Sequence, residues 1–320
     1  MASARPDQVA GVSAAASAAR AVFVTRPRPA RTMWGDAWRR FRRHRLAMAG
    51  GVVFLALVAA TLVGPAIYHV GINTIDFHAS MAPPSAAHPL GTNDLGQDML
   101  ARVLYGGRIS IAVGIAAMLM SVTVGTLVGA ISGFFGRTAD HVLMRITDVF
   151  ISLPSLPLLL LVIYLYRDML ARTFGPQFGI FWLIVGVIGG LNWMPTARLV
   201  RAGFLAVKEK EFIEAARSLG VGTLSQIFRH ILPNVLSPVI VSATLSVGSA
   251  IIAESTLSFL GLGFPPDIPT WGRLLYDAQN YLDMAPHMAI FPGLMICLAV
   301  LSINYVGDGL RDALDPRRLL

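Results

Sequence analysis

Long apolar runs alternate with shorter polar segments along this chain. Six runs extend approximately from Leu46 to Tyr68, Ile109 to Phe135, Val142 to Tyr166, Ile180 to Val200, Ile231 to Ala253 and His287 to Val306. Each is close to the roughly 20 residues that a helix needs to cross a hydrocarbon core about 30 Å thick. A helix is required because lipid offers backbone N–H and C=O groups no partner. The pattern predicts an all-α polytopic membrane protein with six transmembrane helices. The third and fourth runs have the least clean borders, with Arg145 and Asp148 inside one and Asn192 and Pro195 inside the other. Pro154, Pro157, Pro195, Pro233, Pro238 and Pro292 each remove a backbone donor from a run, which predicts kinked helices.

The polar segments predict the layout between the spans. Residues 1–33, rich in Ala, Ser, Arg and Pro, read as a disordered extension. Their Arg-rich, acid-poor character is also that of an organelle transit peptide. Residues 34–45 form a basic interfacial segment and 46–68 the first span. An external segment follows at 69–108, then a core at 109–310 and a tail at 311–320. The core contains an amphipathic loop at about 208–228 and an external loop at about 255–286. Of the 26 Lys and Arg residues, 21 fall before the first run, at Arg137 and Arg145 around the second-to-third junction, from Arg198 to Arg229 around the fourth-to-fifth junction, and after the sixth. Only Arg102, Arg108, Arg167, Arg172 and Arg273 fall on the other side. The richer side is expected to be cytoplasmic, with both termini inside.

Composition agrees with a bilayer and removes other classes. With 55% hydrophobic and only 14% charged residues, and a mean hydropathy of +0.63, the chain is too apolar for a soluble domain of its length. A net charge of +8 would suggest nucleic acid in a soluble protein. Here the basic residues collect in loops, so no nucleic-acid partner is expected. The single cysteine, Cys297, lies inside an apolar run, which rules out an intrachain disulfide and predicts a buried small hydrophobe.

Several side-chain patterns carry physical meaning. Ser121, Gly125, Gly129 and Gly133 form a four-residue stripe that predicts a helix-packing face. Arg145 and Asp148, three apart, can pair on one helix face near the cytoplasmic end, and pairing or snorkelling is expected over a role in conduction. Glu254, Ser255 and Thr256 end the fifth run and are candidates for an outer gate, although a glutamate at a wet interface needs no function. Only Lys208 and Lys210 exist, flanked by Val207, Glu209 and Glu211, so a P-loop is absent from the sequence. No His-Glu-x-x-His pair, paired-cysteine spacing or Gly-x-Ser-x-Gly elbow occurs. Asn93, Asp94 and Asp98 lack the calcium-loop rhythm. No catalytic residue, metal ligand or cofactor site is expected on this chain.

The loop from Lys208 to Arg229 places Phe212, Ile213, Ala216 and Leu219 on one helical face and Lys210, Glu211, Glu214, Arg217 and Ser218 on the other. Gly220 supplies a left-handed stop. Periodicity alone fits either a helix resting on lipid headgroups or a handle for a cytoplasmic partner. The content of the loop separates them. Glu214-Ala215-Ala216, three residues, Gly220, and then Phe228-Arg229-His230-Ile231-Leu232-Pro233-Asn234 closely resemble the EAA signature of permease subunits in bacterial ABC importers. Ala37-Trp38-Arg39-Arg40-Phe41, the stretch His88 to Asp98, the stretch Ala253 to Gly263 with Trp271-Gly272, and the tail Gly307 to Arg317 are similar to the dipeptide and oligopeptide permease C-type subfamily. Gln97 and Asn93 depart from that pattern, where a basic and an acidic residue are frequent.

The resemblance implies a type I ABC importer permease fold. It implies that Glu214, Ala215, Ala216, Leu219 and Gly220 form a coupling helix gripped by an ATPase subunit. The implied partners are a second, homologous permease subunit, two ATPase subunits that hydrolyse ATP with Mg, an external substrate-binding protein and the lipid bilayer of the bacterial inner membrane. The implied cargo is short peptides, with nickel, glutathione or antimicrobial peptides as alternatives. An ion-coupled secondary transporter would need ionisable residues at mid-membrane and an internal repeat, neither of which stands out.

Overall fold

The protein is described here by a computed structural model that covers residues 33–314. The expected disordered extension lies, but for Met33, outside the described residues, as does the tail beyond Leu314. The helices are α1 (Met33–Arg43), α2 (Arg45–Ile67), α3 (Met99–Phe135), α4 (Arg137–Ser152), α5 (Ser155–Phe174), α6 (Pro176–Gly190), α7 (Met194–Lys208), α8 (Glu211–Ser218), α9 (Thr223–Phe259), α10 (Trp271–Ala278) and α11 (His287–Leu314). Helices α2, α3, α9 and α11 are each long and apolar enough to cross a membrane. The pairs α4–α5 and α6–α7 qualify only together and are bent by 86° and 45°. Counting each bent pair as one span makes six crossings.

The bends fall in the third and fourth runs, where prolines predicted kinks, and both are full breaks in the helix. Leu153 and Pro154 leave the helical region, with ψ of 136° and 108°. Crowding of the proline ring disfavours a helical residue before it, so α4 ends there. The fourth run breaks between Leu191 and Trp193, and Pro195 then sits in the first turn of α7, where its missing N–H costs nothing. Span two also begins ten residues before the expected Ile109, because Asp98 accepts from Ala101 N at 2.8 Å and caps a helix starting at Met99. In α9, a π turn at Gln226–Ile231 precedes Pro233 and gives its ring room against the preceding turn.

Helix α3 is the axis of the bundle. One side packs Ile109, Val113 and Ala117 with Ile163, Ile184 and Ile188 of α5 and α6 and with Leu257 of α9. The other side packs Val103 and Ile111 with Ile251, Trp271, Met288 and Ile303 of α9, α10 and α11. Large apolar side chains such as Leu55, Leu165 and Trp182 remain exposed on the outside of the bundle, as lipid-facing surfaces require. Cys297 is among these outward positions, contrary to the expected burial. An apolar run marks a span but does not say which way each residue faces.

Candidate functional site

The small-residue stripe of α3 lies against α7. A Cβ on Gly125 would stand 2.6 Å from Trp193 O, and one on Gly133 would stand 2.6 Å from Phe204 Cβ. At Gly129 it would meet the Ala197 carbonyl oxygen and Val200 Cβ. Ser121 is buried one turn above, its hydroxyl donating to Met118 O at 3.0 Å. The lower end of this seam is clamped by charge. Arg201 donates to both oxygens of Asp140, at 2.5 and 2.6 Å, and Lys208 Nζ donates to Phe134 O at 2.5 Å. Asp148 pairs with Arg198 of α7 at 2.6 Å, not with Arg145 as expected. The sequence spacing offered an intrahelical partner, whereas the bend after α4 brings a neighbouring helix closer.

The end of α7 leads directly into α8, which is eight residues long and much shorter than the expected segment at 208–228. Leu219 caps it, Gly220 adopts φ +77°, and Thr223 already begins α9. Ile213 and Ala216 are buried, Ile213 against Phe204 of α7 and Ile227 and Ile231 of α9. Phe212 and Leu219 do not share that face and are exposed, Leu219 at 84%. A two-turn helix buries only a narrow stripe, and that stripe holds Ile213 and Ala216 alone. Glu214, Ala215 and Gly220 are exposed beside them, and Leu224 and Phe228 extend the exposed apolar surface onto the start of α9. The result is a knob fixed to α7 and α9 from beneath and open to a partner from above.

At the opposite end of the bundle a cap is assembled from residues 69–98, the loop after α9, and α10. Its hub is Arg102, which is 1% exposed. One terminal nitrogen donates to Ile72 O, Asn73 Oδ1 and Gln97 Oε1, and the other donates to Pro266 O at 2.9 Å and faces Asp277 at 3.7 Å. Asp277 also pairs with Arg273 at 2.9 Å. Burial outweighs these two guanidinium groups and raises the Asp277 carboxyl above the usual range. Asp98 accepts from Tyr68 at 2.8 Å and contacts His88 Nδ1 at 2.9 Å. Burial first, and then the bond to Asp98, pushes the Tyr68 phenol up to about 12, so it stays a donor throughout the physiological range. The sequence marked this stretch only by resemblance, and nothing local to Arg102 announced a buried hub.

Glu254, expected at a wet interface, is instead wholly buried. Ser258 donates to it at 2.7 Å and Ser110 of α3 at 3.0 Å, while Ser110 Oγ accepts from Trp271 N at 3.2 Å. Ser255 is buried beside it, and the Thr256 hydroxyl returns to Ile252 O at 2.8 Å. This hydroxyl cradle pins α10 to α3 and α9. Glu254→Gln is expected to be tolerated, because hydroxyls can turn to donate or accept. Glu254→Leu leaves the two hydroxyls without an acceptor and is expected to cost about 1–3 kcal/mol. Limited proteolysis of the loop at 260–270 distinguishes them, with only the leucine variant cut faster.

Among the described residues no group of three or more His, Cys, Asp and Glu side chains could hold a metal ion. Residues 125–319 match the family described as binding-protein-dependent transport system inner membrane component, and residues 32–84 match the N-terminal TM domain of oligopeptide transport permease C. The chain is 38% identical to the glutathione transport system permease protein GsiD of Pectobacterium atrosepticum, over 92% of this chain and 94% of that one. It is 40% identical to the oligopeptide transport system permease protein OppC of Haemophilus influenzae, over 90% and 89%. It is 35% identical to the dipeptide transport system permease protein DppC of Alkalihalophilus pseudofirmus, over 89% and 90%. A chain from an inward-facing structure of the MetNI methionine ABC transporter superposes with a TM-score of 0.54 at 20% identity, covering 68% of this chain and 98% of that one, a likeness of fold. With its bundle and its N-terminal span both matched, the chain belongs to the family of binding-protein-dependent transport system inner membrane components, the permeases of ABC importers, and has their fold.

Proposed function

We propose that this chain is one half of the membrane channel of an ATP-driven importer of short peptides. Its partners are a second, homologous permease, two ATPase subunits that carry the nucleotide site, and an external binding protein that delivers cargo. Both termini and α8 lie on the cytoplasmic side of the bacterial inner membrane, in keeping with the 21 basic residues assigned there. The α8 knob carries this reading. Its buried stripe joins it to α7 and α9, and its exposed Phe212, Glu214, Arg217 and Leu219 are free to be held. ATPase closure on this knob shifts both helices, and the two permease halves open outward to accept cargo. Glu254, Ser255 and Thr256 lie at the outer gate, where the cradle around Glu254 holds α10 in place.

Gly220→Leu in the reconstituted assembly is the direct test. Nothing lies within 4 Å of a Cβ at this position, so the penalty is the left-handed φ of +77° alone, about 1–2 kcal/mol. Cargo-stimulated ATP hydrolysis is expected to fall on the order of 10-fold, with basal hydrolysis retained. Gly222→Leu, two residues on at φ −65° and equally uncrowded, serves as the neutral control. Unchanged coupling in Gly220→Leu would remove α8 from the transmission path. The likeness to a glutathione permease supports a second reading in which the cargo is glutathione, itself a tripeptide. Binding assays on the partner binding protein with dipeptides, longer peptides and glutathione separate the two.

A further inference from the structure

Helix α1 is amphipathic and lies across the foot of the bundle. Phe41 buries against Ala47 of α2 and Ala313 of α11, with Ala37 buried one turn before it, and a Cβ on Gly309 would stand 3.3 Å from the Phe41 ring. Trp38 stacks on Phe41 at 5.9 Å yet stays exposed. Between α1 and the last turns of α11 runs a groove of about 310 Å³ lined by Arg40, Arg43, His44, Gly309, Asp312 and Ala313. His44 approaches Asp312 at 3.8 Å, and Asp36 approaches Arg39 at 4.0 Å. Among the described residues neither Arg40 nor Arg43 has an acidic partner.

We propose that this groove is a binding site for the phosphate headgroup of an anionic phospholipid, held by Arg40 and Arg43. Three observations favour a lipid over a soluble anion or an acidic protein. The groove lies beside the start of α2, whose exposed Leu46, Val52 and Leu55 form a lipid-facing surface within a few turns. Trp38, an exposed ring on a helix with one buried edge, has the placement of an aromatic anchor at the headgroup level. Arg39, Arg40, Arg42, Arg43 and Arg45 crowd into seven residues next to a span, the charge pattern that attracts anionic leaflets. Guanidinium forks are suited to phosphate oxygens in two-pronged contact. The bound lipid ties α1 to α11, so the surrounding leaflet stiffens the foot of the bundle.

The test is native mass spectrometry of the full chain released from nanodiscs of phosphatidylcholine containing phosphatidylglycerol. The unaltered chain is expected to retain phosphatidylglycerol in preference to phosphatidylcholine. Arg40→Gln with Arg43→Gln is expected to lower that preference about 30-fold, while Arg40→Lys with Arg43→Lys keeps most of it. Arg167→Gln with Arg172→Gln, which removes the same charge elsewhere, is expected to leave it unchanged. An equal loss in that control would reduce the effect to net charge and overturn the site. Displacement by inorganic phosphate at millimolar concentration would assign the groove to a soluble anion and overturn it equally. If the glutamine pair does not insert, the unaltered chain still decides. Its preference must weaken as salt shortens the screening length below about 10 Å, and insensitivity to salt refutes a phosphate held by charge.

Discussion

Arg102→Leu is expected to destabilise the protein by about 3–5 kcal/mol, the range for deleting one member of a buried ionic network. The arginine joins the segment after α2, the loop before α3, the loop before α10, and α10 itself. Its removal leaves the Ile72 and Pro266 carbonyls without this donor and the half-buried Asp277 with Arg273 alone. No local rearrangement replaces a donor that reaches residues 164 and 175 positions away. Arg102→Lys restores the charge but not the fork, because a single ammonium cannot serve both sides of the hub. It is expected to recover less than half of the loss. Unfolding of the purified full chain in mixed micelles measures both. A leucine variant within about 1 kcal/mol of the unaltered chain would show that the cap does not depend on this residue.

The same residue shows where sequence reading reached its limit. Hydropathy located the four long apolar helices and the two bent pairs, because lipid demands long apolar helices irrespective of what they pack against. It set the start of α3 too late, since Arg102 and Arg108 read as loop residues. Arg108 in fact donates to Thr61 and Leu62 carbonyls of α2, and Arg102 is satisfied by segments far away in the chain. Charge in a helix is legible only when its partner is local. Asp148 failed in the same way, choosing Arg198 across a bend over Arg145 on its own helix. Prolines announced that α4–α5 and α6–α7 would deviate, while the angles follow from tertiary packing. The motif around Gly220 located the knob and its stop, while the rest of the segment 208–228 divides between the end of α7 and the start of α9 at Thr223. Glu254 stood just past the expected end of the fifth run at Ala253, whereas α9 continues to Phe259 and the cradle of Ser110 and Ser258 buries it.

Gly129→Leu is expected to have the larger consequence for transport, because the α3–α7 seam is the base on which α8 stands. A Cβ at Gly129 already meets the Ala197 carbonyl and, at 2.8 Å, Val200 Cβ. Both belong to the framework of α7 and cannot swing aside. Gly129→Ala is therefore expected to cost about 1–3 kcal/mol, and leucine more, by prising the two helices apart. Below the seam, Lys208–Phe134 holds α7 to α3, and Asp140–Arg201 ties α7 to α4, which follows α3 directly. The separation cannot be confined to mid-span, and it tilts the end of α7. Ile213 rests on Phe204 of α7, so α8 moves with it. The alanine variant should thus keep its expression and lose coupling between ATP hydrolysis and cargo uptake, whereas the leucine variant should lose assembly. Gly186→Ala in α6, where a Cβ meets nothing within 4 Å, is expected to change stability by less than about 0.5 kcal/mol. A Gly129→Ala protein with intact stability and intact coupling would mean that α3 and α7 slide freely, and α8 would then have no rigid base from which to act.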